Sequence, residues 1–377
     1  MKLKYFPVKM SWSKQEVPHG MIEVNQKCNI NCDGCYKNKF NFEKSLEEIK
    51  KEVDLLAKKR NLSAITIAGG EPTLYPDLNE VVNYISSKNI RPILLTNGTL
   101  LTKERILELK KNGLARIAIH IDRHQNKRPD SKSVKKDSEL NFLRKKYVDL
   151  CYECGMNSVL QLTLYKDNLK EFLEVVDFAQ KLPDTNLGIL ITLYSNTADI
   201  KKENKILEIT NEDIIKLFYE EKGLVPTYYL PSSNDENSLR WIFYNSFITV
   251  DKTGVIHKLN MHPKNKTALK LFSILPRMIK GRYSFEDPRT QEQTFFALSL
   301  YGLLSFSPKT LYDCMKFKKL AKNNGNLKIF SLLFQQGPKK LINGKYEICK
   351  NCPDSTVRNG KIMPICLADQ ISPIKII

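Results

Sequence analysis

The sequence lacks any apolar run long enough to cross a bilayer. Its longest, Phe295–Phe306, has 12 residues, against the roughly 20 that a spanning helix needs. Met1–Lys9 is charged and no long apolar stretch follows it, so no export signal is expected. Internal repeats and low-complexity segments are absent, which sets aside solenoids and disordered arrays. Acidic residues are scarce: 41 Asp and Glu face 60 Lys and Arg, a formal charge of +19. Such an excess suits an anionic partner, whether nucleic acid, a phosphate-bearing lipid surface or an acidic peptide. A lysine-rich composition without functional meaning accounts for it equally well. Part of the excess is local, with 13 basic and 4 acidic residues between Lys258 and Lys322.

What is present is concentrated in cysteine. Cys28, Cys32 and Cys35 stand as C-x3-C-x2-C just after the apolar Met21, Ile22 and Val24. Nine cysteines in 377 residues would give that spacing by chance about 0.005 times. Without export, nine cysteines point to a reducing cytoplasm and to metal or redox work rather than disulfides. Three thiolates on one loop can hold three corners of a cubane iron–sulfur cluster and leave the fourth iron without a protein ligand. An open metal position is where chemistry takes place. A zinc knuckle is the alternative; it would need a fourth ligand, and no His or Cys lies between Cys35 and His120.

Strand and helix patterns alternate from there. Strands are predicted at Met21–Val24, Ala64–Ala68, Pro92–Leu95, Arg116–Ile121, Ser158–Leu164 and Leu187–Leu193. Between them come helices at Ser45–Lys59, Leu78–Ser86, Thr102–Lys111 and Leu140–Cys154, with Leu169–Lys181 last. The alternation implies right-handed crossovers and a parallel sheet, and fits either a six-unit open barrel or a doubly wound sheet. Beyond about Ser195 the regularity breaks. A helix at Asn211–Glu221 and a hairpin turning at Asp251-Lys252-Thr253-Gly254 are predicted next.

Gly69-Gly70-Glu71-Pro72 follows the second strand, at the end where parallel folds collect ligands. Its glycines allow close backbone approach, and Glu71 is an acceptor suited to an ammonium group. With the cysteine triplet upstream, this loop makes the chain resemble the radical S-adenosylmethionine (SAM) superfamily over about residues 18–195. The resemblance implies an α/β fold, a partial (β/α)6 TIM-like barrel with a C-terminal helical, cysteine-containing extension. It also implies a [4Fe–4S] cluster on Cys28, Cys32 and Cys35, and SAM contacts from Gly69, Gly70, Glu71 and Pro72. Asn97, His120 and Asp122, at later strand ends, are further cofactor-binding candidates; His124 and Gln125 are weaker ones. The family usually carries an aromatic before the third cysteine. This chain has Gly34 there and Tyr36 after it, so Tyr36 is also counted as a cofactor contact.

Cys349-x2-Cys352, Cys366 and the distant Cys314 resemble an accessory-cluster extension, which implies a second iron–sulfur cluster; a zinc ribbon is the alternative. Cys151 and Cys154 read as buried thiols. The expected organisation is an N-terminal extension (1–17), a core barrel (18–195), core completion with a hairpin (196–261), a basic amphipathic helical region (262–345) and a cysteine-rich end (346–377). By resemblance, reductive cleavage of SAM yields a 5′-deoxyadenosyl radical that takes hydrogen from an unactivated carbon. Electrons come from a reductant protein such as flavodoxin or ferredoxin. The amphipathic segment suggests a lipid-like substrate and peripheral contact with an anionic membrane. Maturation of a ribosomally made peptide and a non-catalytic SAM-binding scaffold are the alternatives, and no RNA-binding module supports nucleic acid.

Overall fold

Alternation of apolar residues makes each early strand two-faced, and helices cover one of the faces. The computed structural model describes residues 4–37, 40–131, 134–182, 188–195, 208–285, 287–341 and 346–372. The first six strands are β1 (His19–Glu23), β2 (Ala64–Ala68), β3 (Arg91–Thr96), β4 (Arg116–His120), β5 (Asn157–Leu164) and β6 (Ile189–Leu193). They lie side by side in that order and all run parallel. Leu187, expected in β6, lies outside the described residues.

Helices α1 (Leu46–Lys59), α2 (Leu78–Ser87), α3 (Lys103–Lys111), α4 (Asn141–Glu153) and α5 (Phe172–Gln180) connect them. Ser45 caps α1, its hydroxyl accepting from the Glu48 amide at 3.2 Å, and Ile49, Val53 and Leu56 recur on its buried face. They pack with Ile22, Ile65 and Ile67 in the main core. The opposite face of the strands carries Ala64, Ile93, Ala118 and Val159, a smaller cluster.

The later elements are α6 (Asn211–Lys222), β7 (Tyr228–Leu230), β8 (Trp241–Val250), β9 (Ile256–Asn260), α7 (Lys266–Lys280), α8 (Gln291–Leu304), α9 (Pro308–Asn324) and β10 (Lys328–Gln336). β10 lies parallel beside β6, and β8 pairs with it antiparallel. β8 and β9 form the hairpin read at Asp251–Gly254. β7 and the short strand Val8–Lys9 complete the far edge. Among the described residues, β1 and Val8–Lys9 end the sheet without joining, so the parallel half is an open TIM-like array and not a closed barrel.

Two expectations change here. Lys328–Gln336, within the segment read as helical, is a strand, because Leu332, Leu333 and Phe334 are buried against the sheet core. Cys314 lies in α9 among Leu298, Tyr301 and Phe317, a core built between the helical layer and Phe247 of β8. Burial pushes its thiol up to about 11, and it does not meet the other C-terminal cysteines. Its place at a buried position of α9, invisible in spacing, made it an inert thiol.

The chain ends in strands β11 (Ser355–Arg358) and β12 (Lys361–Pro364), which form a hairpin, followed by α10 (Ile365–Ile371). β11 packs beside β1. Buried charges join these parts: Lys37 pairs with Glu23 and, at 2.9 Å, with Asp369 of α10. Arg358 reaches Glu23 at 2.7 Å and Asp369 at 3.0 Å. A second buried pair anchors the end of β4. Arg144 of α4 donates to the Ile121 carbonyl at 2.9 Å and to Asp137 Oδ1 at 2.6 Å, both partners being about 1% exposed. Replacing Arg144 by Met leaves the Asp137 carboxyl buried without its cation, and the expected loss is about 3–5 kcal/mol in urea unfolding.

Candidate functional site

The sixfold alternation turns polar at the ends of the strands. On the face away from the helices, β4 ends in His120, β5 carries Gln161 and Thr163, β6 carries Thr192, and β10 carries Gln335. These side chains line one cavity of about 1200 Å³, counting its open mouth, at the carboxyl ends of the parallel strands. Cys28, Cys32 and Cys35 line the same cavity, as do Tyr36, Gly69, Gly70, Glu71 and Asn97. Sequence reading missed Gln161, Thr163, Thr192 and Gln335. Their signal was available: polar residues at alternate positions of otherwise apolar strands, close to the carboxyl end.

The glycine loop is fastened to the stem of the cysteine loop. The Gly70 amide donates to the Asn25 carbonyl at 3.1 Å, and the Glu71 amide to the Lys27 carbonyl at 2.7 Å. The Asn25 side chain returns a bond to the Glu71 carbonyl at 3.0 Å. A Cβ on Gly70 would stand 2.1 Å from the Lys27 oxygen, and one on Gly69 2.6 Å from the Asn25 oxygen. The glycines therefore admit the strand leading into Cys28, in addition to bordering the cavity.

Glu71 is buried, and Thr73, Thr96 and the Asn97 amide donate to its carboxylate at 2.6 to 3.0 Å. Burial pushes its pKa above the ordinary carboxyl range despite those bonds. Oε1 takes three of them and Oε2 one, which leaves Oε2 the less saturated acceptor. Pro72 begins a single 3-10 turn whose cap is Glu71 and does not border the cavity.

His120 borders the cavity while Asp122 stands behind it. Asp122 is buried and bonds His120 Nε2 at 2.9 Å, the Thr163 amide at 3.1 Å and the His124 amide at 3.0 Å. Burial alone would raise its pKa; the bond and charge of His120, with the Thr163 amide, outweigh that and hold the carboxyl below its usual value. Asp122, expected to touch a cofactor directly, is instead placed to orient His120. His124 and Gln125 also lie off the cavity lining. Gly34 has a steric reason to be glycine: a Cβ there would sit 2.4 Å from the Tyr165 hydroxyl and 3.0 Å from Tyr194. Those two rings stack 4.8 Å apart and fill the space beside the loop.

Cys349, Cys352 and Cys366 line this same cavity from its far side. Cys349 and Cys352 share a hydrogen bond that draws Cys349 down against the effect of burial, with Arg240 and the Trp241 indole helping, while the same bond together with burial drives Cys352 well up. Burial raises Cys366 as well. All nine cysteines are free of disulfides. Among the described residues no three His, Cys, Asp or Glu side chains converge closely enough to hold one metal ion. By donor chemistry and by the cavity they share with the glycine loop, Cys28, Cys32 and Cys35 fit an iron–sulfur cluster.

Residues 22–179 match the family model of the Radical SAM superfamily. An Fe-coproporphyrin III synthase of Methanosarcina barkeri is 29% identical over 46% of this chain and 43% of its own length. A GTP 3′,8-cyclase of Aquifex aeolicus is 25% identical over 62% of this chain and 72% of its own. The antilisterial bacteriocin subtilosin biosynthesis protein AlbA of Bacillus subtilis is 29% identical over 52% of this chain and 42% of its own. The chain thus spans less than half the length of two of these three relatives. With the cysteine triplet and the glycine–glutamate loop on one cavity at the strand ends, residues 22–179 form a radical SAM domain.

Proposed function

We propose that this chain is a radical SAM enzyme in which Cys28, Cys32 and Cys35 hold a [4Fe–4S] cluster and Glu71, Asn97 and the glycine loop receive SAM. The observation that carries this reading is the single cavity shared by the thiols, the glycine loop and the polar strand ends. Bound together, cluster and SAM supply one-electron cleavage of a carbon–sulfur bond to methionine and a 5′-deoxyadenosyl radical. The protein's own part is placement and exclusion of water. Glu71 offers carboxylate Oε2 to a cationic amine, and Asp122 fixes the ring of His120 against the cavity. Gln161, Thr163, Thr192 and Gln335 offer neutral hydrogen-bonding groups to polar parts of the ligands. Cys349, Cys352 and Cys366 are proposed to hold a second cluster, whose fourth ligand is not Cys314.

The helical layer supports work at an anionic membrane surface on a lipid-like substrate. Its inner residues pack on β8, but Met278, Ile279, Phe296, Leu303, Phe306 and Met315 are 61 to 75% exposed. Leu303 and Met315 border one groove with Lys318, Lys319 and Lys322. Apolar side chains among lysines match the boundary between headgroups and acyl chains. No helix among the described residues is long and apolar enough to cross a membrane. A peptide substrate is the second reading, favoured by the second cysteine set and by the similarity to AlbA.

Three outcomes are expected. After anaerobic reconstitution with iron, sulfide, SAM and dithionite, the protein releases 5′-deoxyadenosine, and Cys32→Ala reduces that release to background. Persistent release from Cys32→Ala would sink the assignment. Gly70→Ala, which forces a methyl into the Lys27 carbonyl, lowers the iron retained after reconstitution and lowers the melting temperature, whereas Gly223→Ala, strained at the left-handed cap of α6 but off the cavity, lowers the melting temperature and leaves the iron content intact. Vesicles containing anionic lipid co-sediment with the protein, and Phe296→Ser/Leu303→Ser/Met315→Ser weakens that binding about tenfold or more. Equal recovery with and without vesicles would favour the peptide reading.

A further inference from the structure

A second cavity opens on the outer side of Cys349 and Cys352. It measures about 2120 Å³ counting its mouth, and Lys14, Lys58, Lys59, Arg60 and Lys361 border it with no Asp or Glu among the lining residues. Lys14, Lys58, Lys59 and Lys361 are exposed. By contrast, half-buried Lys50 of α1 pairs with Glu47, and Lys88, just past α2, with Asp54. Among the described residues these four have no such partner.

The groove is built, not merely charged. Arg60, 8% exposed, donates to the His19 carbonyl at 2.9 Å and to the Ser355 hydroxyl at 3.2 Å. That hydroxyl in turn donates to the Cys352 carbonyl at 2.8 Å. Cys349 and Cys352 border both this groove and the central cavity, so the thiol pair is the partition between them. The positive character does not extend all round the site. A groove on another side of the central cavity, meeting it at Gln336 and Gly337, carries Glu208, Glu212, Asp235 and Glu347.

We propose that the basic groove is the docking surface for a small acidic electron-carrier protein of the flavodoxin class, delivering single electrons at the Cys349–Cys352 partition. The proposal rests on the radical reading above, which needs electrons from outside the chain. Each transfer oxidises the carrier's flavin hydroquinone anion to the neutral semiquinone and reduces the acceptor at the cysteines by one electron. No proton moves. Opposite charge steers the encounter and sets its orientation. Nucleic acid or headgroups would meet the same lysines, but neither accounts for a thiol pair at the floor.

The test compares wild type with Lys58→Glu/Lys59→Glu/Lys361→Glu, and with Lys170→Glu/Lys216→Glu/Lys252→Glu, three exposed lysines outside every groove described, as a charge-matched control. The probe is a purified acidic flavodoxin, with binding followed by calorimetry and melting temperatures confirming folded variants. The groove variant is expected to lose affinity about tenfold or more while the control keeps it, and wild-type affinity to fall steeply with salt. Dithionite, which needs no docking, should drive 5′-deoxyadenosine release equally in all three, while flavodoxin-driven release falls only in the groove variant. Unchanged affinity in the groove variant, equal loss in the control, or RNA binding at this face in place of flavodoxin overturns the proposal. Failure of dithionite-driven cleavage in wild type would instead overturn the radical reading, with flavodoxin binding still deciding the groove.

Discussion

The site depends on a short backbone contact between two loops. Gly70 and Glu71 donate to the carbonyls of Asn25 and Lys27, and the first cysteine follows one residue later. Neither bond could form with a side chain at position 70, because its Cβ would overlap the Lys27 oxygen. The same contact carries Glu71 into a buried position, where Thr96 and Asn97 from the end of β3 reach its carboxylate. Three strand ends are thereby fixed relative to one another: the stem after β1, the loop after β2 and the turn after β3. Backbone hydrogen bonds hold that arrangement with less freedom than surface side chains could.

The remaining walls follow from parallel topology. Every strand from β1 to β6 ends on the same side, so polar residues at their last inward positions meet across the cavity without any local relation in sequence. The C-terminal segment closes the arrangement. Its β11 lies along β1, and its α10 reaches the cysteine loop through Lys37 and Asp369. Ion pairs as deeply buried as these add little net stability, since desolvation offsets their attraction. Their use is geometric: four charges with few alternative partners leave one way to seat the C-terminal cysteines opposite the first three.

Charge is divided around this centre. The lysines beside Cys349 and Cys352 form one wall type, the carboxylates near Gln336 another, and the helical layer mixes lysine with exposed apolar side chains. A net charge of +19 hides that division. The layer itself is an ordinary helical core on its inner side, where Leu269, Leu298 and Phe317 meet Phe247, and an unusual surface on its outer one.

Much of the first half was legible because its signals are local. The helices predicted to begin at Ser45 and Thr102 do begin there, each capped by that residue's hydroxyl, and the apolar run Ala64–Ala68 is a buried strand. Cys28, Cys32, Cys35 and Gly69–Glu71 were recognisable because close spacing keeps them on single loops. The second cysteine set shows the limit: spacing suggested four members, and packing of α9 removed Cys314. Asp122 shares a strand end with His120, yet it is buried behind that ring and bonds it. By itself the sequence determined the loops, the caps and the strand alternation, since these depend on neighbours a few residues apart. Only tertiary structure decided that two cysteine sets more than 300 residues apart face one cavity, that Gly34 yields to Tyr165, and that lysines from three segments line one groove. Those facts depend on long-range packing, which no local pattern encodes.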